Sequence, residues 1–282
     1  MLSRTSYQRT LRLAGKVLRH PDRAVLRLVL KARLRRTPIR NERVRLLAFL
    51  SRQFGVDAAS FLTEYRRSEF YSWFRRQRAA LDRFKGPYRF GTTGLFGCEA
   101  LYLLVRATRP RIVVDTGVLY GASTGHILAA LADNRSGRLH SIDIGRDPRE
   151  PPHDYFIPAE LQSNWDLITG DSRRELPRLL GRCGTIDMFY HDSLHTWEHM
   201  FWEYGTALPH LSSHGILSSD DVQNAPDLPG IFRKNAFPSF CRTHHLPCLT
   251  FHNLGVSVLG LTPAFVDRPG PHHHVSASAL MS

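Results

Sequence analysis

The chain lacks most of what would place it in an oxidising compartment or a bilayer. Its 282 residues contain only four cysteines, Cys98, Cys183, Cys241 and Cys248, too few for a disulfide scaffold in a chain this long. It has no run of 18 apolar residues, so no segment is expected to span a membrane. Its first residues also lack the compact apolar core and cleavage site of a secretory signal. Together these absences predict a cytoplasmic protein. Other missing pieces exclude chemistries. Ser193 has no G-x-S-x-G elbow around it, which leaves a hydrolase without its nucleophile turn. The stretch Cys241–Cys248 (CRTHHLPC) has metal-binding side chain types without zinc spacing. It reads as ordinary thiols and histidines at a helix–strand junction. His272–His274 lie in a proline-bearing tail and are assigned no function.

Acidic residues are scarce at one end. Residues 1–53 hold 15 Lys and Arg against only Asp22 and Glu42, whereas the remainder holds 23 basic and 23 acidic residues. The whole net charge of +13 therefore sits in the first fifth of the chain. Within it, residues 22–36 (DRAVLRLVLKARLRR) mix leucine and valine with arginine at near-helical spacing, and Asp22 is placed to cap the helix. Such a helix suits an anionic membrane surface, where each Lys or Arg contributes about 1 kcal/mol. That would make the protein peripheral at the inner membrane face. The competing reading packs the apolar face on the main domain and leaves the arginines solvated. Nucleic acid is disfavoured because only Tyr7 and Phe49 interrupt the basic run, and base stacking needs aromatics. Nothing in the composition excludes self-association.

The organisation that follows is a basic helical arm (1–53), a helical cover (54–94), a cofactor-binding domain (95–262) and a loose tail (263–282). After a helix over residues 96–107, short apolar strands alternate with amphipathic helices, the pattern of a parallel sheet with covering helices. Strands are expected at 111–115, 138–143, 165–169, 185–191 and 214–219, with helices near 122–133, 172–181, 195–208 and 230–243. Two further strands, 247–252 and 256–261, lie too close for a helical crossover and should pair antiparallel.

What is present is most informative at residues 111–128, RIVVDTGVLYGASTGHIL. A buried strand ending at Asp115 passes through Gly117 and Gly121 into a helix opening near Ser123. Glycines before a helix N-terminus offer backbone N–H groups to a polar ligand with no Cβ in the way. About 26 residues on, the run LHSID ends in Asp143, placed to accept hydrogen bonds from ribose hydroxyls. Two later strands end in acids. The run IDMFYHDSLHTWEH (186–199) leaves its strand at His191–Asp192, and GILSSDDV (215–222) leaves the next at Asp220–Asp221. Adjacent parallel strands would gather Asp192, Asp220 and Asp221 on the carboxyl edge beside the glycine turn. Three carboxylates without basic partners repel, and a hard divalent cation such as Mg²⁺ resolves the conflict. The alternative has Asp220 capping the next helix and Asp221 in solvent.

These pieces, with GDS at 170–172 and NAFPSF at 235–240, resemble class I S-adenosylmethionine-dependent O-methyltransferases. The likeness is to the bacterial subfamily related to cephalosporin hydroxylase and antibiotic-sugar methyltransferases, and it covers about residues 90–262. The resemblance implies a Rossmann-like α/β sheet of seven strands, the last antiparallel, preceded by a helical N-terminal extension. It also implies S-adenosylmethionine bound along the strand that ends in Asp115 and the turn after it. Gly117, Tyr120, Gly121 and Ser123 would line the methionine end, Asp143 the ribose, and Asp171 and Ser172 the adenine. Asp192, Asp220 and Asp221 would hold Mg²⁺. Two departures stand out: Asp115 replaces a common glutamate, and the loop Gln223–Lys234 is long.

An activated sulfonium methyl needs alignment and a deprotonated acceptor oxygen. His195, three residues after Asp192, is the expected base, with Asp192 or His191 behind it. The acceptor would be a hydroxylated small molecule, sugar or glycan. Two other functions compete: a nicotinamide-dependent oxidoreductase, disfavoured by the missing third glycine of G-x-G-x-x-G, and a non-enzymatic module that uses the basic arm.

Overall fold

The computed structural model describes residues 39–83, 92–145, 152–222 and 236–261. Seven strands form one sheet in the order β3-β2-β1-β4-β5-β7-β6. They are β1 Ile112–Thr116, β2 Arg138–Asp143, β3 Trp165–Thr169, β4 Ile186–His191, β5 Leu211–Ser219, β6 Leu249–Phe251 and β7 Leu254–Val258. Strands β1 to β5 pair in parallel, and β7 runs antiparallel between β5 and β6. This is the expected seven-stranded α/β sheet. Among the described residues no helix is long and apolar enough to cross a membrane.

The strands are apolar on both faces because both faces are covered. On one side Val113, Met188, Tyr190, Ile216 and Val256 pack in a core with helices α1 Ile39–Phe54, α2 Ala58–Arg67, α4 Leu95–Thr108 and α5 Ala122–Asn134. On the other, Val114, Ile142, Phe189 and Leu217 meet α6 Ser172–Cys183, α7 Trp197–Ala207 and α8 Ala236–Thr243. Helix α3 Glu69–Arg83 adds a third cluster through Phe74, which packs with Tyr120 and Phe156.

Helix α4 shows why the cover exists. Eleven of its 14 residues are buried, so it is apolar nearly all round and needs protein on every side. Helices α1 and α2 supply that, and its two buried charges are paired. Glu99 takes Arg43 of α1 and Arg66 of α2, and the Arg106 guanidinium reaches Glu64 at 2.6 Å. Helix α1 thus lies against the body, with Leu46 and Leu50 fully buried and the Glu42 carboxylate accepting from the His252 N–H at 3.0 Å. Residues 1–38, the whole 223–234 loop and the tail from 263, for which the sequence suggests an arm, a pocket loop and a loose end, lie outside the described residues.

The terminal hairpin is shorter than its expected strands. The residues His252 and Asn253 form a two-residue turn between the paired Phe251 and Leu254, with His252 in the left-handed region at φ 55°. Such a turn suits the twist of a hairpin, and it starts β7 at 254 rather than 256. Strand β5 begins at Leu211, three residues early, and a 3₁₀ helix, Ala159–Asn164, precedes β3.

One buried histidine ties the cover to the glycine turn. The His126 Nδ1–H donates to the Ala122 carbonyl at 2.6 Å, and the Tyr65 hydroxyl of α2 donates to Nε2 at 2.8 Å. Phe70 and Phe74 of α3 press their rings against it. Burial lowers its pKa to about 4, so the ring is neutral when folded and titrates near 6.5 when unfolded. Its stabilisation is complete above that value and is lost as pH falls toward 4. Between pH 7 and pH 5 the wild type should lose about 2 kcal/mol relative to His126→Gln in urea denaturation. Asp115, pushed up to about 7 by burial, titrates in the opposite sense. Being common to both proteins, it cancels in the comparison.

Candidate functional site

The parallel register builds the site. Thr116 of β1 stands opposite Ile142 of β2 and His191 of β4, and His191 opposite Ser219 of β5. The ladder continues past the strand ends: the Gly117 N–H bonds the Ile142 carbonyl, Asp192 the Thr116 carbonyl, Asp220 the His191 carbonyl and Gly170 the Asp143 carbonyl, each at 2.8 Å. Gly117, Asp143, Asp192 and Asp220 therefore leave one sheet edge side by side. Strand order reverses between β1 and β4, and the crevice at such a switch point is where open α/β sheets bind ligands.

Gly117 sits at φ 90°, and a Cβ there would collide with the Asp192 carbonyl oxygen. Only glycine lets β1 and β4 exit this closely. Gly121 caps α5 from the left-handed region at φ 77°, with the His153 carbonyl and the Ile157 side chain against it. The Asp143 Oδ2 accepts the Val118 and Leu119 N–H groups at 2.7 and 3.0 Å, while Oδ1 takes Gly145. Asp143 thus shapes the turn as well as standing at its lip.

The other expected cofactor residues divide between core and surface. Asp115 is fully buried, and the Thr124 hydroxyl of α5 donates to its Oδ2 at 3.0 Å while Oδ1 has no hydrogen-bond partner. Tyr120 and Ser123 are almost fully buried behind the turn. Asp171 caps α6 by accepting from the Arg173 N–H, and Ser172 meets the His199 Nε2 at 3.2 Å.

Asp192, Asp220 and Asp221 do come together. The Asp192 Oδ2 accepts from the Thr93 hydroxyl at 3.0 Å, and its Oδ1 lies 3.4 Å from the His195 Nε2. The same nitrogen lies 3.8 Å from the Asp221 Oδ2. The Asn253 amide donates to the Oδ1 atoms of Asp220 and Asp221 at 3.2 and 2.8 Å. Burial and then its neighbours Asp192 and Asp221 push the Asp220 carboxyl well above the usual range. Burial also raises Asp192. Burial opposes charge on His195, yet Asp192, Asp221 and Asp220 overrule it and raise its pKa. Its Nε2 is the atom that faces both Asp192 and Asp221. As the side chains stand, no group of three or more His, Cys, Asp and Glu among the described residues is spaced to hold a metal ion. The His195 ring occupies the space between two of the carboxylates.

Residues 114–222, from within β1 to just past the Asp220–Asp221 pair, match the family model of a methyltransferase domain. A probable caffeoyl-CoA O-methyltransferase of Dictyostelium discoideum is 25% identical over 122 residues, 43% of this chain. The match spans about half, 47%, of that relative's length. Among solved structures, the O-methyltransferase from Bacillus cereus in complex with SAH superposes with a TM-score of 0.51 at 13% identity, covering 71% of this chain and 97% of that one. A putative caffeoyl-CoA O-methyltransferase from Staphylococcus aureus gives 0.52 at 14% identity, covering 71% and 96%. At these identities the structures establish the shared fold.

Beneath the strand-end site lies a buried acid that the sequence did not flag. Glu203 of α7 is fully buried and accepts four hydrogen bonds. His191 Nδ1 and the Thr116 hydroxyl reach its Oε2, both at 2.6 Å. His199 Nε2 and the Ser193 hydroxyl reach Oε1 at 2.8 and 2.9 Å. Burial alone would raise this carboxyl, but His191, His199 and Thr116 hold it far below the usual range. It clamps β1, β4 and the loop that carries Asp192. A signal existed in the sequence: Glu203 follows His199 by four residues, on the same helical face, amid Met200, Phe201, Trp202 and Tyr204. Thr93 and Asn253 gave no such signal. Glu203→Gln puts a donor where four donors converge, and should cost about 3–5 kcal/mol in denaturant unfolding. Glu203→Asp, which keeps the charge, should lose less.

Proposed function

We propose that the protein is an S-adenosylmethionine-dependent O-methyltransferase acting on a hydroxylated small molecule or sugar, with a divalent cation, Mg²⁺ by its chemistry, beside the methyl donor. The observation that carries this reading is the ladder at the strand ends, which sets the glycine turn and Asp143 next to Asp192 and Asp220. The relatives named for caffeoyl-CoA O-methylation support the reaction type, and the methyltransferase domain match supports the cofactor.

The cofactor's methionine end would lie along Gly117 and Gly121 before α5, with Tyr120 and Ser123 behind it and Asp115 beneath. Asp143 would receive the ribose, and the Asp171–Ser172 turn the adenine. Bound there, the cofactor supplies a methyl group on a sulfonium. The donor set of Asp192, Asp220 and Asp221 fits a hard cation, since it gathers carboxylate oxygens whose burial demands compensating charge. The Asn253 Oδ1, buried without a hydrogen-bond partner beside them, marks polar capacity there that the protein itself leaves unmet. For those oxygens to converge, the His195 ring must move from between Asp192 and Asp221. Held by Asp192, Asp220 and Asp221, such an ion would supply Lewis-acid chemistry that lowers the pKa of an acceptor hydroxyl.

His195 and Asp192 are the catalytic residues in this reading. Displaced from between Asp192 and Asp221, the neutral His195 ring would take the hydroxyl proton, and the nearby Asp192 carboxylate would stabilise the charge that forms. The acceptor O–C bond forms as the cofactor's S–C bond breaks, leaving S-adenosylhomocysteine and the methyl ether. Residues 1–53 carry the charge that would hold the enzyme to an anionic membrane surface.

Calorimetry of the full chain with S-adenosylhomocysteine should give saturable binding, and NAD should give none. Binding of NAD but not of S-adenosylhomocysteine would overturn the assignment in favour of the oxidoreductase. With a catechol or sugar acceptor found by product mass, His195→Ala should lower turnover about 10²–10⁴-fold and leave S-adenosylhomocysteine affinity within about twofold.

A further inference from the structure

Two uncharged side chains touch the carboxylate cluster, and neither is part of the methyltransferase domain match at residues 114–222. Thr93 precedes α4 and is nearly fully buried. Its own carbonyl is held by the Arg78 guanidinium at 2.8 Å, which fixes its position from α3. Asn253 stands in the β6–β7 turn, and its carbonyl accepts the Val222 N–H at 3.1 Å. That bond ties the hairpin to the backbone just after Asp221.

The contacts sort the carboxylate oxygens into two sets. Thr93 takes the Asp192 Oδ2, and Asn253 takes the Oδ1 atoms of both Asp220 and Asp221. The opposite oxygens of Asp192 and Asp221 face one point, the position of the His195 Nε2. Anchoring one oxygen of a carboxylate fixes the rotation of the group and so the direction of the other. Asp221 also sits in the left-handed region at φ 56°, a conformation that costs energy outside glycine and persists only where neighbours hold it. The Asn253 side-chain and main-chain bonds to this turn are such a hold. Because both donors are neutral, they orient the acids without cancelling the charge that would attract a cation.

We infer that Thr93 and Asn253 are positioning residues that aim the Asp192 and Asp221 carboxylates at a shared divalent cation. The inference rests on the cation reading above. Outer partners of this type typically alter metal affinity about 10–100-fold when removed.

The test is Mn²⁺ binding to the full chain, followed by calorimetry and by the loss of the free-ion electron paramagnetic resonance signal, with melting temperature and S-adenosylhomocysteine affinity as controls. Wild type should bind Mn²⁺, and Asp220→Asn should not. Asn253→Ala and Thr93→Val should each weaken Mn²⁺ about 10–100-fold with S-adenosylhomocysteine affinity kept, and Thr93→Ser, which restores the hydroxyl, should recover wild-type affinity. If Thr93→Val does not fold, Asn253→Ala in the half-buried hairpin turn carries the test. Wild-type Mn²⁺ binding with undiminished affinity in Asn253→Ala overturns the positioning role and leaves the cation reading intact. Absence of Mn²⁺ binding by a wild type that binds S-adenosylhomocysteine overturns the cation reading, and this inference with it.

Discussion

The parallel register of β2, β1, β4 and β5 is the constraint on which the rest depends. Each strand ends opposite its neighbour, and one further backbone bond carries each pairing into the loop beyond. The side chains that leave this edge have no freedom to be elsewhere. Gly117 is glycine because the Asp192 carbonyl lies where its Cβ would stand. Slipping β4 by one residue would separate those groups and turn the strand's two apolar faces inside out. Core packing and site geometry are thus enforced by the same hydrogen bonds.

Around that edge the fold places acids in opposed environments. Glu203 is buried among four donors, which makes it a permanent anion and a fixed post for Thr116, His191, Ser193 and His199. Asp220 is only partly exposed, and burial together with two neighbouring carboxylates pushes its carboxyl well above the usual range. The first arrangement is satisfied and rigid. The second is left with unmet negative charge, which His195 answers in part, and such unmet charge is what a ligand cation can exploit.

The helical cover serves the site indirectly. Tyr65 and the α3 aromatics lock His126 against the first turn of α5, and Arg78 fixes Thr93. Helix α4 joins the two functions, for it is buried against both the sheet and helices α1 and α2. These contacts explain why residues 39–54, whose composition reads as part of a charged arm, pack as an ordinary amphipathic helix. Leu46 and Leu50 face α4, and the arginines lie on its flanks or outward.

Local signals were enough for much of the protein. Apolar runs bounded by polar turns gave the five parallel strands, since a strand buried on both faces has no choice but to be apolar. Glycines before Ser123 marked the turn, and Asp143, Asp192 and Asp220–Asp221 marked strand ends where an acid has no packing role. The sequence by itself determined the α/β class, the seven strands, the glycine turn and the acids at the strand ends. Only the tertiary structure decided that Glu203 anchors the site from below, that Thr93 and Asn253 hold the carboxylates, and that His195 stands between two of them. The reason is distance along the chain. Thr93 meets Asp192 across 99 residues, and Asn253 meets Asp220 across 33. Hydrogen bonds of that span leave no period or spacing in a sequence, and exist only once the sheet has set its edge.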